Sequence, residues 1–246
     1  DPLAGGPMVG AYLEFGDYQK VLDLFSEVTP GHPMHEMGLG MERAMQGDFA
    51  GAAAVVEEAI EGVENPRPFQ LGQIAGFAML AGDFDKARKY AELHDPAFAA
   101  DADPVVKWND VGGLIQYAFI LQNQGEYQRA GNLLAIAQEA LGGAPRVGLY
   151  GHGIRDVQIL ALQGKTLEAL AAFRDAIDEG FRGTVASSGW PLALDPYLGS
   201  LRGNPGFEAM VGELEEAIAR MQQNVATAEQ SGNWDSLRAM TLTETT

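Results

Sequence analysis

The stretch Gly82-Asp83-Phe84-Asp85-Lys86-Ala87 decides the fold of this chain because its pattern returns along the sequence. In each copy a glycine is followed two residues later by an aromatic residue or Thr, and three residues after that by Ala or Val. The copies begin at Gly16, Gly47, Gly82, Gly125 and Gly164. Repetition at intervals of twenty to fifty residues is typical of proteins built from stacked units. We therefore expect similar structural units to follow one another along the chain.

The sequence between these glycines predicts paired helices. It is rich in Ala, Leu, Gln and Glu, and its apolar residues recur at three- and four-residue spacing. Between Val55 and Glu64, for example, Val, Ala and Ile residues form one stripe and Glu residues form the opposite face. Each glycine falls where one helix must stop and the next begin, because a tight turn between helices needs a residue that tolerates positive φ.

The spacing of the glycines indicates where loops are inserted between units. Successive glycines are 31, 35, 43 and 39 residues apart. The longer intervals contain two stretches with Pro and Gly, His94–Asp110 and Gly142–Gly153, which predict loops.

Other positions in the copies also recur. One copy contains Leu39-Gly40, Gly47, Phe49, Ala52 and Ala59, another contains Leu114, Tyr117, Gly125, Tyr127, Ala130 and Ala137, and a third contains Leu160, Gly164, Ala169, Phe173 and Ala176. Over residues 5 to 180 the chain resembles the tetratricopeptide repeat family, whose unit is a helix–turn–helix of about 34 residues. The resemblance implies an all-α, right-handed helical-repeat solenoid of about five units with a C-terminal capping helical region.

The C-terminal part of the chain has a different composition. Residues 181–206 are rich in Gly and Pro, whereas Phe207–Ala228 returns to an amphipathic helical pattern. We therefore divide the chain into a repeat solenoid over 1–180, a connection over 181–206, and capping helices with a tail over 207–246. The stretch Trp190–Phe207 resembles the closing segment of repeat regions in membrane-anchored winged-helix transcriptional regulators and in repeat-fused nucleotide cyclases. That resemblance implies the sensory or interaction domain of a larger regulator.

Charge and composition exclude several classes of partner. The chain has 16 basic and 34 acidic residues, a formal charge of −18, so it is expected to repel nucleic acid and anionic lipid surfaces. It has no Cys, which excludes a disulfide framework and thiol catalysis and fits a reducing or an oxidising compartment equally well. No apolar run is long enough to span a bilayer. We expect a soluble protein of the cytoplasm or periplasm.

The family resemblance also predicts a binding surface. If Leu39, Gly40 and Arg43 pack within their own unit, the methionines between Met34 and Met45 form a separate stripe that, in the family, lines a concave groove. The equivalent stripes complete a candidate groove of Met34, Met37, Met41, Met45, Phe69, Met79, Ile115, Phe119, Gln122, Asn123, Ile154 and Gln158. Methionine-rich surfaces suit apolar helices or extended peptides. The alternative is that these residues pack between neighbouring inner helices or under a C-terminal helix.

Three functions compete. The leading hypothesis is a non-catalytic protein- or peptide-binding scaffold, with no cofactor and no metal. The second is a small-molecule sensor whose pocket is closed by the loops His94–Asp110 and Phe181–Gly206. The third is a metal-dependent enzyme, which would need a buried cluster around His32 and His35. The stretch Gly164-Lys165-Thr166 imitates the end of a phosphate-binding loop, but Ile159 stands where that motif needs a glycine, and a repeat turn explains it.

Overall fold

The chain is all-α. A computed structural model describes residues 12, 17–28, 32–100, 104, 107, 110–142, 152–182 and 192–231. In chain order its α-helices are α1 (Tyr18–Ser26), α2 (Pro33–Met45), α3 (Phe49–Ala59), α4 (Pro68–Leu80), α5 (Phe84–His94), α6 (Val111–Asn123), α7 (Tyr127–Gly142), α8 (His152–Leu162), α9 (Thr166–Asp178) and α10 (Pro205–Ser231). Short 3₁₀ helices cover Pro96–Ala99, Leu192–Leu194 and Pro196–Leu201.

The repeated glycines share one turn geometry. Gly47, Gly82, Gly125 and Gly164 have φ values of 81°, 79°, 84° and 73°. Each donates its amide to the carbonyl three residues earlier, and the next residue donates to the carbonyl five residues earlier, which is the Schellman arrangement that ends a helix. The prediction that these glycines separate paired helices is confirmed. Gly16 lies outside the described residues.

The Asp that follows several of these glycines begins the next helix. Asp17, Asp48 and Asp83 each accept a hydrogen bond through the side chain from a backbone amide three residues later, so they satisfy one of the free donors of a helix N-terminus. Lys165 has no such side chain to offer, yet Gly164 keeps the same turn. The Gly164-Lys165-Thr166 stretch therefore has the geometry of a repeat turn.

The helices pack in sequence order as antiparallel pairs. Each helix from α1 to α9 contacts the next one, and the separated pairs α2 with α4 and α6 with α8 also touch. Such contacts are consistent with a helical repeat. The buried apolar side chains form two clusters, one centred on α3 to α7 and one on α8 to α10. None of the helices in the described ranges combines the length and apolar character needed to cross a membrane.

The packing of α2 differs from the expectation that Leu39, Gly40 and Arg43 all pack within their own unit. Gly40 lies against α3 and α4, since a Cβ added there would be 3.1 Å from Val56 and 3.3 Å from Phe77. Leu39 is instead 38 % exposed, and Arg43 is drawn to the turn by an ion pair with Asp48 at 3.2 Å. Of the three residues expected to pack within the unit, Gly40 alone makes the close contact with the neighbouring helices.

The C-terminal region is more ordered than its composition suggests. The stretch expected to be a connection contains two 3₁₀ helices, and α10 is longer than the amphipathic pattern that predicts it. Phe207 and Leu214 of α10 are buried in the cluster that includes Phe173 of α9. Helix α10 therefore covers the apolar face of α9.

Candidate functional site

The residues of the predicted groove fall into two groups in the structure. Met79, Ile115, Ile154 and Gln158 are buried, and Phe119 and Gln122 are half-buried. Met37 and Met41 are half-buried, while Met45, Phe69 and Asn123 are exposed. The side chain of Met34 lies outside the described residues. The predicted stripe is thus covered along α4, α6 and α8 and more open on α2 and at the start of α4.

The cover over the closed part comes from the chain itself. We call residues Leu192–Leu201, the two 3₁₀ helices, the strap. Its Tyr197 is 2 % exposed and meets the Phe119 ring edge to face, with ring centroids 5.4 Å apart. The Tyr197 hydroxyl lies 4.0 Å from the sulfur of Met79. The strap therefore occupies the surface that the sequence assigned to a ligand.

The strap also joins the two apolar clusters. Tyr197 belongs to the cluster of α3 to α7, whereas Leu198 and Leu201 belong to that of α8 to α10 and are completely buried. Burying a side chain of this size contributes about 1.5–3 kcal/mol. The strap is held by apolar contacts on both sides.

A buried carboxylate lies at the centre of the strap. Asp195 is 0 % exposed, and its Oδ2 accepts a 2.6 Å hydrogen bond from Nε2 of Gln158, which is also fully buried. Its Oδ1 accepts from the amide of Tyr197 at 2.9 Å. Arg155 Nη1 donates to Oε1 of Gln158 at 3.0 Å, which fixes the orientation of the Gln158 amide. Asp195 is thus both the cap of a 3₁₀ helix and the polar anchor of the strap.

The environment of Asp195 opposes its ionisation. Burial raises the pKa of Asp195 to about 6, and the hydrogen bonds from Gln158 and from the Tyr197 amide, with the charges of Arg155 and Arg202, only partly offset this rise. Burial also lowers the pKa of Arg155. The Asp195 carboxyl group thus interacts with two amides, the side chain of Gln158 and the backbone of Tyr197, and with the charges of Arg155 and Arg202.

The predicted groove residues Gln122 and Asn123 use their side-chain amides in internal hydrogen bonds. Gln122 Nε2 donates to the carbonyl of Leu162 at 3.0 Å, and Asn123 Nδ2 donates to the carbonyl of Phe119 at 2.9 Å. On the strap, Ser200 Oγ donates to the carbonyl of Ala161 at 3.0 Å. These bonds satisfy backbone carbonyls near the ends of α6 and α8.

The more open part of the stripe forms a second surface. We call Met37, Met41 and Met45 of α2, together with Phe69 of α4, the methionine face. Met45 is 48 % exposed and Phe69 is 40 % exposed. Helices α2 and α4 touch and run in the same direction, because each is antiparallel to α3. Because Met45 ends α2 and Phe69 lies in the first turn of α4, these two exposed side chains lie toward opposite ends of the helices, and Met37, Met41 and Met45 form a row along α2. Exposed large apolar side chains are characteristic of interaction surfaces.

Two hydrogen bonds between Tyr and Glu join neighbouring helices. Tyr90 donates to Glu57 and Tyr117 donates to Glu92, each at 2.6 Å. The bond from Tyr90 lowers the pKa of Glu57, while at Glu92 burial acts to raise the pKa but the bonds from Tyr117 and Arg88 outweigh it. Burial raises the pKa of both Tyr to about 12. Ionised carboxylates paired with neutral phenols are suited to linking helices and not to proton exchange near neutral pH.

An open cleft of about 420 Å³ lies between the 3₁₀ helix Pro96–Ala99 and the start of α7. Phe98, Pro104 and Tyr127 contribute apolar surface to it, and Arg129 contributes a guanidinium. Nη2 of Arg129 donates to the carbonyls of Phe98 and Ala100, so it also holds the 3₁₀ helix in place. The cleft has both apolar and polar lining.

One histidine of the predicted pair lies beside a carboxylate. His35 Nδ1 lies 3.3 Å from the carboxylate of Glu36. Within the part of the chain that the structure describes, no three His, Asp or Glu side chains are arranged to hold a metal ion.

No strap residue is among the predicted groove residues, although the stretch Phe181–Gly206, which contains the strap, is expected to close over the groove in the small-molecule hypothesis. Asp195 and Tyr197 stand in a stretch whose Gly and Pro content predicts a connection, so they were not assigned to the groove. A signal was nevertheless present, because Tyr197, Leu198 and Leu201 are large apolar residues within a short Pro-containing stretch. Three large apolar side chains in so short a stretch indicate that the stretch packs against the helices.

The chain matches no protein-family model, and no curated protein sequence is significantly similar to it.

Proposed function

We propose that the chain is a non-catalytic, tetratricopeptide-like solenoid that binds a protein or peptide segment at its methionine face. The observation that carries the proposal is the row of Met37, Met41 and Met45 along α2, which is half-buried at first and 48 % exposed at Met45, beside α4 with its exposed Phe69. The identical turns at the four described repeat glycines support a repeat architecture, and stacked repeats commonly serve as binding scaffolds. Methionine side chains adapt to different apolar partners because they are unbranched and polarizable.

The charge of the chain favours a partner with basic residues. The formal charge is −18, whereas the methionine face itself is uncharged. An amphipathic helix with an apolar face and Lys or Arg on its other side would match both features. An apolar helix of this kind is the partner we propose, and it is consistent with a sensory or interaction role in a larger regulator.

A model peptide tests the methionine face. We expect an 18-residue amphipathic Leu/Lys helix to bind the wild-type chain, and the double variant Met45→Gln/Phe69→Gln to bind it about tenfold more weakly or worse, because two apolar contacts are lost. Fluorescence anisotropy at about 0.3 M salt measures Kd while screening the general attraction of the acidic surface. Both substitutions are at exposed positions, so circular dichroism should show unchanged helicity.

The matched control replaces two other exposed apolar residues. Leu93 on α5 and Leu167 on α9 are 53 % and 80 % exposed. The variant Leu93→Gln/Leu167→Gln should bind the peptide as the wild type does. Equal weakening by the two double variants, or no weakening by either, would refute the methionine face as the recognition surface.

A second candidate function is small-molecule sensing, and the cleft beside the 3₁₀ helix Pro96–Ala99 favours it. The cleft is large enough for a small ligand, although the strap fills the groove that the loops were expected to close over. A ligand at a hundredfold its Kd stabilises the folded state by about 2.7 kcal/mol. We therefore expect a metabolite screen by thermal shift to reveal a compound whose effect is lost in Tyr127→Ala and kept in Met45→Gln/Phe69→Gln. Loss in the second variant alone would remove the cleft from consideration.

A further inference from the structure

The strap contacts the groove through three kinds of side chain. A carboxylate, Asp195, accepts from Gln158 at 2.6 Å. An aromatic ring, Tyr197, fits beside Phe119 and Met79. Two aliphatic side chains that follow, Leu198 and Leu201, are buried in the cluster of α8 to α10. A segment that presents a carboxylate, an aromatic ring and leucines in this order and spacing would make the same contacts with the groove.

The strap is a compact turn that carries its own cap. Asp195 accepts from the amide of Tyr197, and Pro196 stands at the first position of the 3₁₀ helix, where its fixed φ suits the turn. The geometry is therefore encoded within about seven consecutive residues. A segment that is ordered before binding loses less entropy when it binds.

The groove walls are supplied by residues distant in sequence from the strap. Met79 on α4, Phe119 on α6 and Gln158 on α8 belong to three separate repeat units. The nearest of them, Gln158, is 37 residues from Asp195. The helices that carry these walls contact one another, α4 through α5 to α6 and α6 directly to α8, in addition to the contacts that both clusters make with the strap.

We propose that the groove between α4, α6 and α8 is a recognition site for a turn-forming protein segment with a carboxylate two residues before a Tyr and leucine after it, and that the strap is its internal competitor. This site is separate from the methionine face and uses different residues. A partner segment with the same order of side chains displaces the strap from the groove.

The competition has a predictable strength. A segment tethered by a short connection has an effective concentration of about 1 mM at its site. A free peptide with a Kd of about 10 µM for the empty groove would therefore bind the intact chain about 100-fold more weakly. The strap therefore outcompetes a weakly binding peptide, whereas a tightly binding peptide can displace it from the groove.

A strap-replaced variant tests the proposal. In this variant residues 192–201 are exchanged for alternating Gly and Ser, and Arg202 and α10 are kept. A fluorescein-labelled peptide with the sequence of residues 192–202 is then titrated into the variant and into the intact chain, and anisotropy gives both Kd values. We expect binding to the variant at least about 100-fold tighter than to the intact chain. No binding to a folded variant at about 1 mM peptide, or equal binding to both proteins, overturns the proposal.

Paired substitutions show whether the contacts seen in the structure carry the recognition. The peptide with Tyr197→Ala should lose binding, since the ring between Phe119 and Met79 is removed. In the strap-replaced variant, Gln158→Glu should also abolish binding because it places a carboxylate opposite that of Asp195. Gln138→Glu, an exposed position on α7, is the matched control and should leave the Kd unchanged. A peptide that binds equally well after Tyr197→Ala and in the Gln158→Glu variant would be bound elsewhere.

The test remains decisive if the strap-replaced variant does not fold alone. In that case the variant should lack the helical circular dichroism of the intact chain, and the 192–202 peptide at about 1 mM should restore it by filling the groove. The peptide with Tyr197→Ala should not restore it. Failure of the unsubstituted peptide to restore helicity would mean that the strap acts only as a covalent part of the core.

Discussion

Replacing Phe173 with Ala is expected to lower the free energy of unfolding by about 4 kcal/mol, the largest effect of any single truncation that we expect in this chain. Phe173 on α9 is 0 % exposed. Its ring lies 6.2 Å from that of Phe181 and 5.3 Å from that of Phe207, which begins the contact with α10. The substitution removes the transfer free energy of the ring and leaves a cavity between α9 and α10.

The position of Phe173 also predicts which helices lose the most protection from amide hydrogen exchange. It belongs to the cluster of α8 to α10, whereas α4 to α6 are held mainly by the other cluster. Since helical units contact chiefly their neighbours, amide hydrogen exchange should speed up most in α9 and α10. Urea unfolding followed by circular dichroism measures the total change.

Leu167→Ala is the matched control for Phe173→Ala. It truncates a large apolar residue on the same helix, but Leu167 is 80 % exposed and should change stability by no more than about 0.5 kcal/mol. A change below about 1 kcal/mol for Phe173→Ala, or faster exchange spread evenly over all helices, would show that α10 does not depend on this ring.

The turns were predictable from the sequence because they are local. Gly82 adopts φ of 79°, a conformation that favours glycine, and Asp83 accepts a hydrogen bond from Lys86 within the same turn. All the atoms that determine this geometry lie within a few residues of one another. The helix pairs follow from the turns, so the helical class and the order of the pairs could be inferred before the structure was known.

The state of the predicted groove could not be inferred in the same way. Helical spacing places Ile115, Phe119 and Gln122 along one stripe, but spacing cannot tell whether another part of the chain covers that stripe. Tyr197, which covers it, is 118 residues from Met79 and 78 from Phe119. Such contacts depend on the path of the chain between the units, and no local pattern encodes that path.

The burial of Asp195 could not be inferred from the sequence either. An Asp before Pro predicts a turn at the surface, because an ionised carboxylate is costly to bury. The cost is reduced here by Gln158 and by the charge of Arg155, and both stand on α8, which is distant in sequence. The close approach at Gly153 depends in the same way on a residue distant in sequence. A Cβ there would lie 2.6 Å from that of Ala176, which only the structure shows.

Replacing Asp195 with Ala is expected to lower the free energy of unfolding by about 3 kcal/mol at pH 7. The change removes a buried acceptor of two hydrogen bonds, one from the side-chain amide of Gln158 and one from the backbone amide of Tyr197. It also removes the negative charge that faces Arg155. Thermal and urea unfolding measure the loss.

Asp195→Asn separates the effect of charge from that of shape. Because burial raises the pKa of Asp195 from 3.8 to about 6, the folded state takes up a proton between these pH values while the unfolded state does not. The stability contributed by this proton is fully present below pH 3.8 and is lost as pH rises through about 6. The wild type should therefore gain about 1 kcal/mol over Asp195→Asn when the pH falls from 7 to 5.

Comparison with the Asn variant isolates this single group. Other titrating residues contribute nearly equally to both proteins, so their effects cancel in the difference of the two unfolding free energies. The lowered pKa values of Glu57 and Glu92 give the opposite trend, since the stability that these carboxylates contribute is lost as pH falls below their usual range. A difference between wild type and Asp195→Asn that stays constant from pH 7 to pH 5 would show that Asp195 is ionised throughout, with Arg155 as a full counter-charge.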